Sequence, residues 1–288
     1  MEFDYGVLSD AVEALAENCP ASEIFTIGNS VEGREIYAIK TGSGPKRILV
    51  TAAHHSLEYI TSAALMRFTM EYCGHIVSGE EMYGFSPALL SKKVILYSVP
   101  MVNPDGVELV LHGPDPDNPY HRKIMETTGI HNFSDIWQAN INGVDLNHNY
   151  DAGWQQLASG PAPTRYGGPY PESEPETKAL VNFVRNMNFD MLIALHSQGH
   201  EIYFDFDGLT APRSEEIGAL LAEASGYTLA RPYGVSSFGG FKDWFIKEYG
   251  KEGFTVEIGL GKNPLPLSAL GGEYESVAKL LLTAVANV

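Results

Sequence analysis

The chain has 288 residues, a hydrophobic fraction of 44%, a formal charge of −17 and a pI near 4.8. That length can bury a substantial core, and so acidic a balance argues against a phosphate-backbone partner, leaving no nucleic acid expected. No stretch approaches the ~18 uninterrupted apolar residues of a membrane span. The opening MEFDYGVLSDAVEALAENCP lacks the basic start and apolar run of a signal peptide, so no membrane partner is expected either.

Residues 5–18 have the spacing of an amphipathic helix that stops near Pro20. The alternating runs EIFTIG and REIYAIK, separated by NSVEG, predict an antiparallel hairpin. RILVTAA reads as a central strand, SAALMRFTMEYC as a helix, and KVILYSVPMVNPDG as a buried strand running into a loop. From about 112 to 174 the chain is loop-rich, and long irregular segments of this kind usually carry lids or binding loops. EPETKALVNFVRNMN predicts a helix with proline in its first turn, and DMLIALHSQG an apolar strand ending in histidine. EIYFDF, a helix near 214–225, the helical FKDWFIKEY, the strand GFTVEIGLG and a helix near 273–286 follow. Strands alternate with helices without repeat or linker. The expected fold is α/β, one domain over 1–288 with a mixed β-sheet flanked by helices. Cys19 and Cys73 have no C-x-x-C spacing, which reads as two free thiols in a reducing, cytoplasmic compartment.

AAHHSLEYIT, residues 52–61, places two histidines and a glutamate where a buried strand ends. Buried imidazole and carboxylate are costly unless paired, so either neighbours satisfy them or they hold a metal. His196 ends the run MLIAL and Glu257 lies inside FTVEIG, the same position relative to their strands. Ligands of open α/β sheets gather beyond the carboxyl ends of the strands. Two histidines with one glutamate form an established catalytic zinc set. His55, Glu58 and His196 then supply three ligands, and the fourth position stays open for water whose pKa the ion lowers. Glu257, held near the ion without ligating it, takes the water's proton and passes it to the leaving amine. Each residue alone has a bland reading: His196 as a satisfied core imidazole, Glu257 as half of a buried ion pair. His54 would point to the other face of a continuing strand, as a structural group. A helical His196/His200 pair lacks the glutamate of H-E-x-x-H, and no G-x-S-x-G supports a serine hydrolase.

AHHSLEYIT, VPMVNPDGVEL, NGVDLNHNY, LHSQG and GFTVEIGLG follow one another as in the zinc carboxypeptidases of the carboxypeptidase A type, which this sequence resembles from about residue 23 onward. GREIYAI, WQAN-x-x-GVDLN, LHSQGHEIYF and the run from GGFKDW to KNPLP resemble, more narrowly, bacterial peptidases that cut the γ-D-glutamyl bond to a diamino acid in peptidoglycan. The resemblance implies one zinc ion per chain on His55, Glu58 and His196, with Glu257 as general base and Asn147 binding the substrate's carboxylate.

It also marks departures. The arginine that follows that asparagine in digestive carboxypeptidases is here His148, which lacks a guanidinium's charged fork. The substrate-capping tyrosine falls at Ile246. The arginine that polarises the scissile carbonyl aligns with Gln138, while Arg122 is the alternative on charge. His148, Arg165 and Gln198 are candidate contacts to a D-glutamyl substrate, and SSFGG (236–240) a source of backbone donors. The implied substrate is a small peptidoglycan stem peptide cleaved at its γ-D-glutamyl–diamino acid amide, inside the cell. The alternatives are a carboxypeptidase acting on ordinary C-termini and a catalytically silent zinc-holding peptide binder.

Overall fold

The two alternating runs near the N-terminus pair as the spacing predicts: β1 (Ser22–Asn29) lies antiparallel to β2 (Glu35–Thr41). These and all other features come from a computed structural model that describes residues 2–231 and 238–288. β3 (Lys46–Thr51), β4 (Val94–Val99), β5 (Met191–His196), β6 (Glu201–Tyr203), β7 (Thr228–Ala230) and β8 (Glu252–Glu257) complete a mixed sheet ordered β1-β2-β4-β3-β5-β8-β6-β7. Its centre, β4-β3-β5-β8, is parallel.

The central strands are buried on both faces, which is why they read as continuous apolar runs. Ile48 and Val50 on β3 and Ile193 and Leu195 on β5 face one core layer, under helices α2 (Tyr59–Ser78), α7 (Ser214–Ser225) and α9 (Leu270–Asn287). Leu49, Leu192 and Ala194 face the opposite layer, under α6 (Pro175–Met187) and α8 (Phe241–Tyr249). A third cluster joins α1 (Tyr5–Asn18) to α4 (Pro104–His112) and α5 (Pro119–Thr128).

Three sequence expectations change. NPDG is not loop: Asn103 accepts a bond from the Gly106 amide, and Pro104 opens α4. The loop-rich stretch contains α5, started in the same way by Asn118 and Pro119. The thiols are not free: Cys19 and Cys73 form a disulfide, with Cα atoms 6.2 Å apart. The end of α1 packs on α2 within one apolar cluster, a tertiary contact between residues 54 apart that no spacing rule reveals.

Candidate active site

The parallel centre of the sheet brings the distant acid and imidazole groups to one edge. β3 ends at Thr51, and after Ala53 the chain turns into the single helical turn Ser56–Glu58 that leads into α2. Ser56 Oγ donates to the Trp137 carbonyl, and Thr61 Oγ1 donates to Glu58 O while accepting from Ala53 N, which pins this turn. His196 closes β5 in register with Glu257, which closes β8.

Glu58 bridges the two histidines, Oε1 lying 2.9 Å from His55 Nδ1 and Oε2 2.9 Å from His196 Nδ1. One ligand atom from each of the three lies within 4.8 Å of the other two. Glu58 and His196 are buried, and His196 Nε2 has no partner among the described residues. His55 Nε2 lies 3.1 Å from Asp145 Oδ1, whose other oxygen accepts from Arg165 N and Thr164 Oγ1. A carboxylate on the far nitrogen fixes ring orientation and raises ligand basicity, the usual outer partner of a metal-binding histidine. Two imidazoles and a carboxylate converging in this way fit a zinc ion.

The electrostatics run the same way. Burial would raise the Glu58 carboxyl, but His55 and His196 outweigh it and hold the group down at about 2. Asp145 is likewise held well below the carboxylate range, against burial, by His148 and His55. Glu257 goes the other way: burial, then the nearby Glu58 carboxylate, push it well above its ordinary value. A group whose charge its surroundings resist accepts a proton readily, as a general base must. His54 stands apart: buried, pushed well below its usual value by desolvation and hence neutral, its Nε2 lies 3.1 Å from Tyr150 Oη and its ring stacks on His196.

The candidate substrate contacts divide. Asn147 and His148 lie at the site, locked to the start of α8 and the residues before it: Asn147 Oδ1 accepts from Phe241 N at 3.0 Å, and His148 Nδ1 donates to the Phe238 carbonyl at 2.7 Å. Gly239, at φ +80°, permits this approach, since a Cβ there would come within 2.5 Å of His148 O. Gln138 is stitched beside the metal group, its carbonyl accepting from Ser56 N. Arg165 adjoins it through its amide on Asp145, with an exposed side chain, and Gln198 is exposed two residues past His196. Arg122 is not brought to the group: it is exposed on α5, 3.5 Å from the Pro116 carbonyl. Ile246, on α8, is packed into the core and offers no hydrogen-bond donor to a substrate. Of the SSFGG run, Ser236 and Ser237 lie outside the described residues.

Sequence reasoning missed three polar residues. Asp145 lies in GVDLN, two residues before Asn147, where nothing in the sequence marks it as a partner of His55. Asn263 bonds both Ser197 O and Ser197 Oγ, buttressing the segment after His196. Glu201 faces Glu257 across β6 and β8, a register that spans more than fifty residues of sequence.

Comparison with known proteins agrees with this geometry. Residues 8–276 match the zinc carboxypeptidase family. The chain is 36% identical over 288 residues to the γ-D-glutamyl-L-diamino acid endopeptidase 1 of Lysinibacillus sphaericus, covering 98% of this chain and 72% of that protein. It is 29% identical to carboxypeptidase A1 of Bos taurus over 255 residues, 81% of this chain and 56% of that one. Thrombin-activatable fibrinolysis inhibitor superimposes with a TM-score of 0.76 at 22% identity, over 99% of this chain and 75% of its own. Murein-tripeptide amidase MpaA from Escherichia coli O157 does so with 0.58 at 23%, over 92% of each chain. With residues 8–276 matched by the family and a His55/Glu58/His196 group that could hold a metal at the strand ends, this chain belongs to the zinc carboxypeptidases.

Proposed function

We propose that this peptidase hydrolyses the amide between a γ-linked D-glutamate and a diamino acid, diaminopimelate or lysine, in peptidoglycan stem peptides. The observation that carries the substrate class is the 36% identity, over 98% of the chain, to a protein named for cleaving that bond. His148 agrees with it. Its Nδ1 is committed to the Phe238 carbonyl and its Nε2 lies 3.9 Å from Asp145, so this position offers no guanidinium fork for an ordinary C-terminal carboxylate.

His55, Glu58 and His196 would hold one zinc ion per chain. Bound there, zinc supplies Lewis-acid polarisation of the scissile carbonyl and a lowered pKa for water. Glu257 accepts the proton of the attacking water and delivers it to the departing amine. Asn147 turns its amide group toward the substrate carboxylate. Gln138, whose carbonyl accepts from Ser56 N beside His55, donates a neutral hydrogen bond to the carbonyl oxygen, while the exposed Arg122 is directed to the Pro116 carbonyl.

Incubating L-Ala-γ-D-Glu-meso-diaminopimelate with the wild type and with Glu257→Gln, each with and without zinc, tests the reading by mass spectrometry. Zinc-dependent release of diaminopimelate, lost in the variant, is the expected result. A zinc-loaded enzyme that leaves this peptide intact while trimming ordinary C-termini is a conventional carboxypeptidase, and one that cleaves neither is a silent binder.

No helix among the described residues is long and apolar enough to cross a membrane. The cytoplasmic expectation rested partly on free thiols, and the Cys19–Cys73 bond removes that support. Disulfides persist in oxidising compartments, so we place the working enzyme on the wall side of the cell. Because both cysteines are buried, thiols are trapped by alkylation in acid-quenched, denatured cells; both cysteines should stay unlabelled until a reductant is added, and labelling of both without it would return the enzyme to the cytoplasm.

A further inference from the structure

Glu201 is an acid without an evident task. It opens β6, directly opposite Glu257 on β8, and two positions on Tyr203 stands opposite Thr255. All four side chains are half-buried on the face of the sheet that carries His196. Ile202 and Val256, which alternate with them, point into the opposite core layer. The Tyr203 hydroxyl donates to Glu201 Oε2 and fixes the carboxylate in place. Among the described residues no lysine or arginine pairs with Glu201, whereas Asp105 has Arg34, Asp205 has Arg231 and Asp243 has Lys242. An anchored carboxylate at the edge of the site, with no basic side chain of the described residues beside it, is a place for a cation from outside the chain.

The direction in which that cation arrives follows from the strand order. His196 flanks Glu257 on the β5 side and Glu201 flanks it on the β6 side, away from the metal group. The leaving amine takes its proton from Glu257, so the side chain attached to that amine can extend past Glu257 toward Glu201. Cross-strand neighbours stand roughly 5 Å apart, within reach of a diamino acid's methylene chain. We infer that Glu201, anchored by Tyr203, is the specificity residue that receives the distal ammonium of the diamino acid on the leaving side of the scissile amide. The inference rests on the proposed γ-D-glutamyl–diamino acid reading and adds to it the group that recognises the second amine.

The test compares γ-D-glutamyl-L-lysine with γ-D-glutamyl-L-norleucine, which keeps the chain and lacks the ammonium, and hippuryl-L-lysine with hippuryl-L-norleucine. In the wild type lysine should be preferred through KM. Glu201→Gln should cut the lysine-to-norleucine ratio of kcat/KM about tenfold to a hundredfold, as for losing a hydrogen bond to a charged group, and Tyr203→Phe should cut it less. Calorimetric binding of free L-lysine and L-norleucine reads the same preference without turnover. A preference that survives in Glu201→Gln, or an equal loss on both members of a pair, overturns the assignment, since the second result would mean that Glu201 only positions Glu257. Cleavage of the hippuryl pair alone would end the isopeptide reading, and the lysine-to-norleucine ratio would still decide the role of Glu201.

Discussion

Glu58 and Glu176 are both enclosed carboxylates, 2% and 0% exposed, and their surroundings drive them in opposite directions. Glu58 lies between two imidazoles, which overcome the cost of burial and hold it at about 2. Glu176, at the start of α6, meets only neutral donors among the described residues: Val31 N on one oxygen and Asn140 Nδ2 on the other, at 3.1 and 3.2 Å. Burial, reinforced by the Asp105 and Glu174 carboxylates, pushes it up to about 8. Depth is therefore not what makes an acid a ligand. A buried carboxylate keeps its charge where groups able to carry positive charge are aimed at it, and those same groups, once deprotonated, are donors for a metal ion. The Glu176 centre is built from amides and holds a proton instead.

The contrast breaks most visibly if the charge at the first centre is removed. Glu58→Gln should empty the metal group, leaving little bound zinc by elemental analysis and no measurable hydrolysis. Glu257→Gln should keep its zinc and lose activity about a hundredfold to ten-thousandfold, the usual contribution of a general base. Zinc retained at wild-type level in Glu58→Gln would mean that the carboxylate serves the histidines and not the ion.

Much of this site can be read from the sequence because it violates the pattern around it. His55, His196 and Glu257 interrupt apolar strand runs, and such an interruption is visible without knowing which strands pair. What could not be read depends on pairing. Glu201 sits at the start of EIYFDF as an unremarkable strand residue until the antiparallel register sets it against Glu257. The Cys19–Cys73 bond needs the docking of α1 on α2, and β7 is three residues long, too short for any periodicity. The choice between Gln138 and Arg122 was left open for a related reason: local sequence likeness carries no information about which way an exposed helix face turns.

A smaller change sharpens the comparison from outside the ligand set. Asp145 is buried, with Oδ2 accepting from Arg165 N and Thr164 Oγ1 and Oδ1 facing His55 Nε2 at 3.1 Å. Asp145→Asn keeps an acceptor there and deletes the charge. Zinc affinity, measured by competition with a chromophoric chelator, should fall about tenfold to a hundredfold, with activity recovering as zinc is raised. Unchanged affinity would mean that His55 is oriented by packing alone.

The last prediction concerns the proton at the second centre. The folded-state pKa of Glu176 lies near 8, above its ordinary 4.5, so the folded protein binds this proton more tightly than the unfolded chain does. Its contribution is most favourable below about pH 4.5 and declines as the pH rises toward 8, by up to ~1.4 kcal/mol per pH unit inside that window. Glu176→Gln removes the titration. The amide nitrogen must face the Asn140 donor, so the variant carries a fixed penalty, but that penalty does not change with pH. Denaturant midpoints between pH 5.5 and 7.5 should therefore show the wild type losing stability relative to the variant as pH rises. Parallel curves would mean that Glu176 is ionised in the folded state, and that Val31 and Asn140 stabilise a buried charge without any cation beside it.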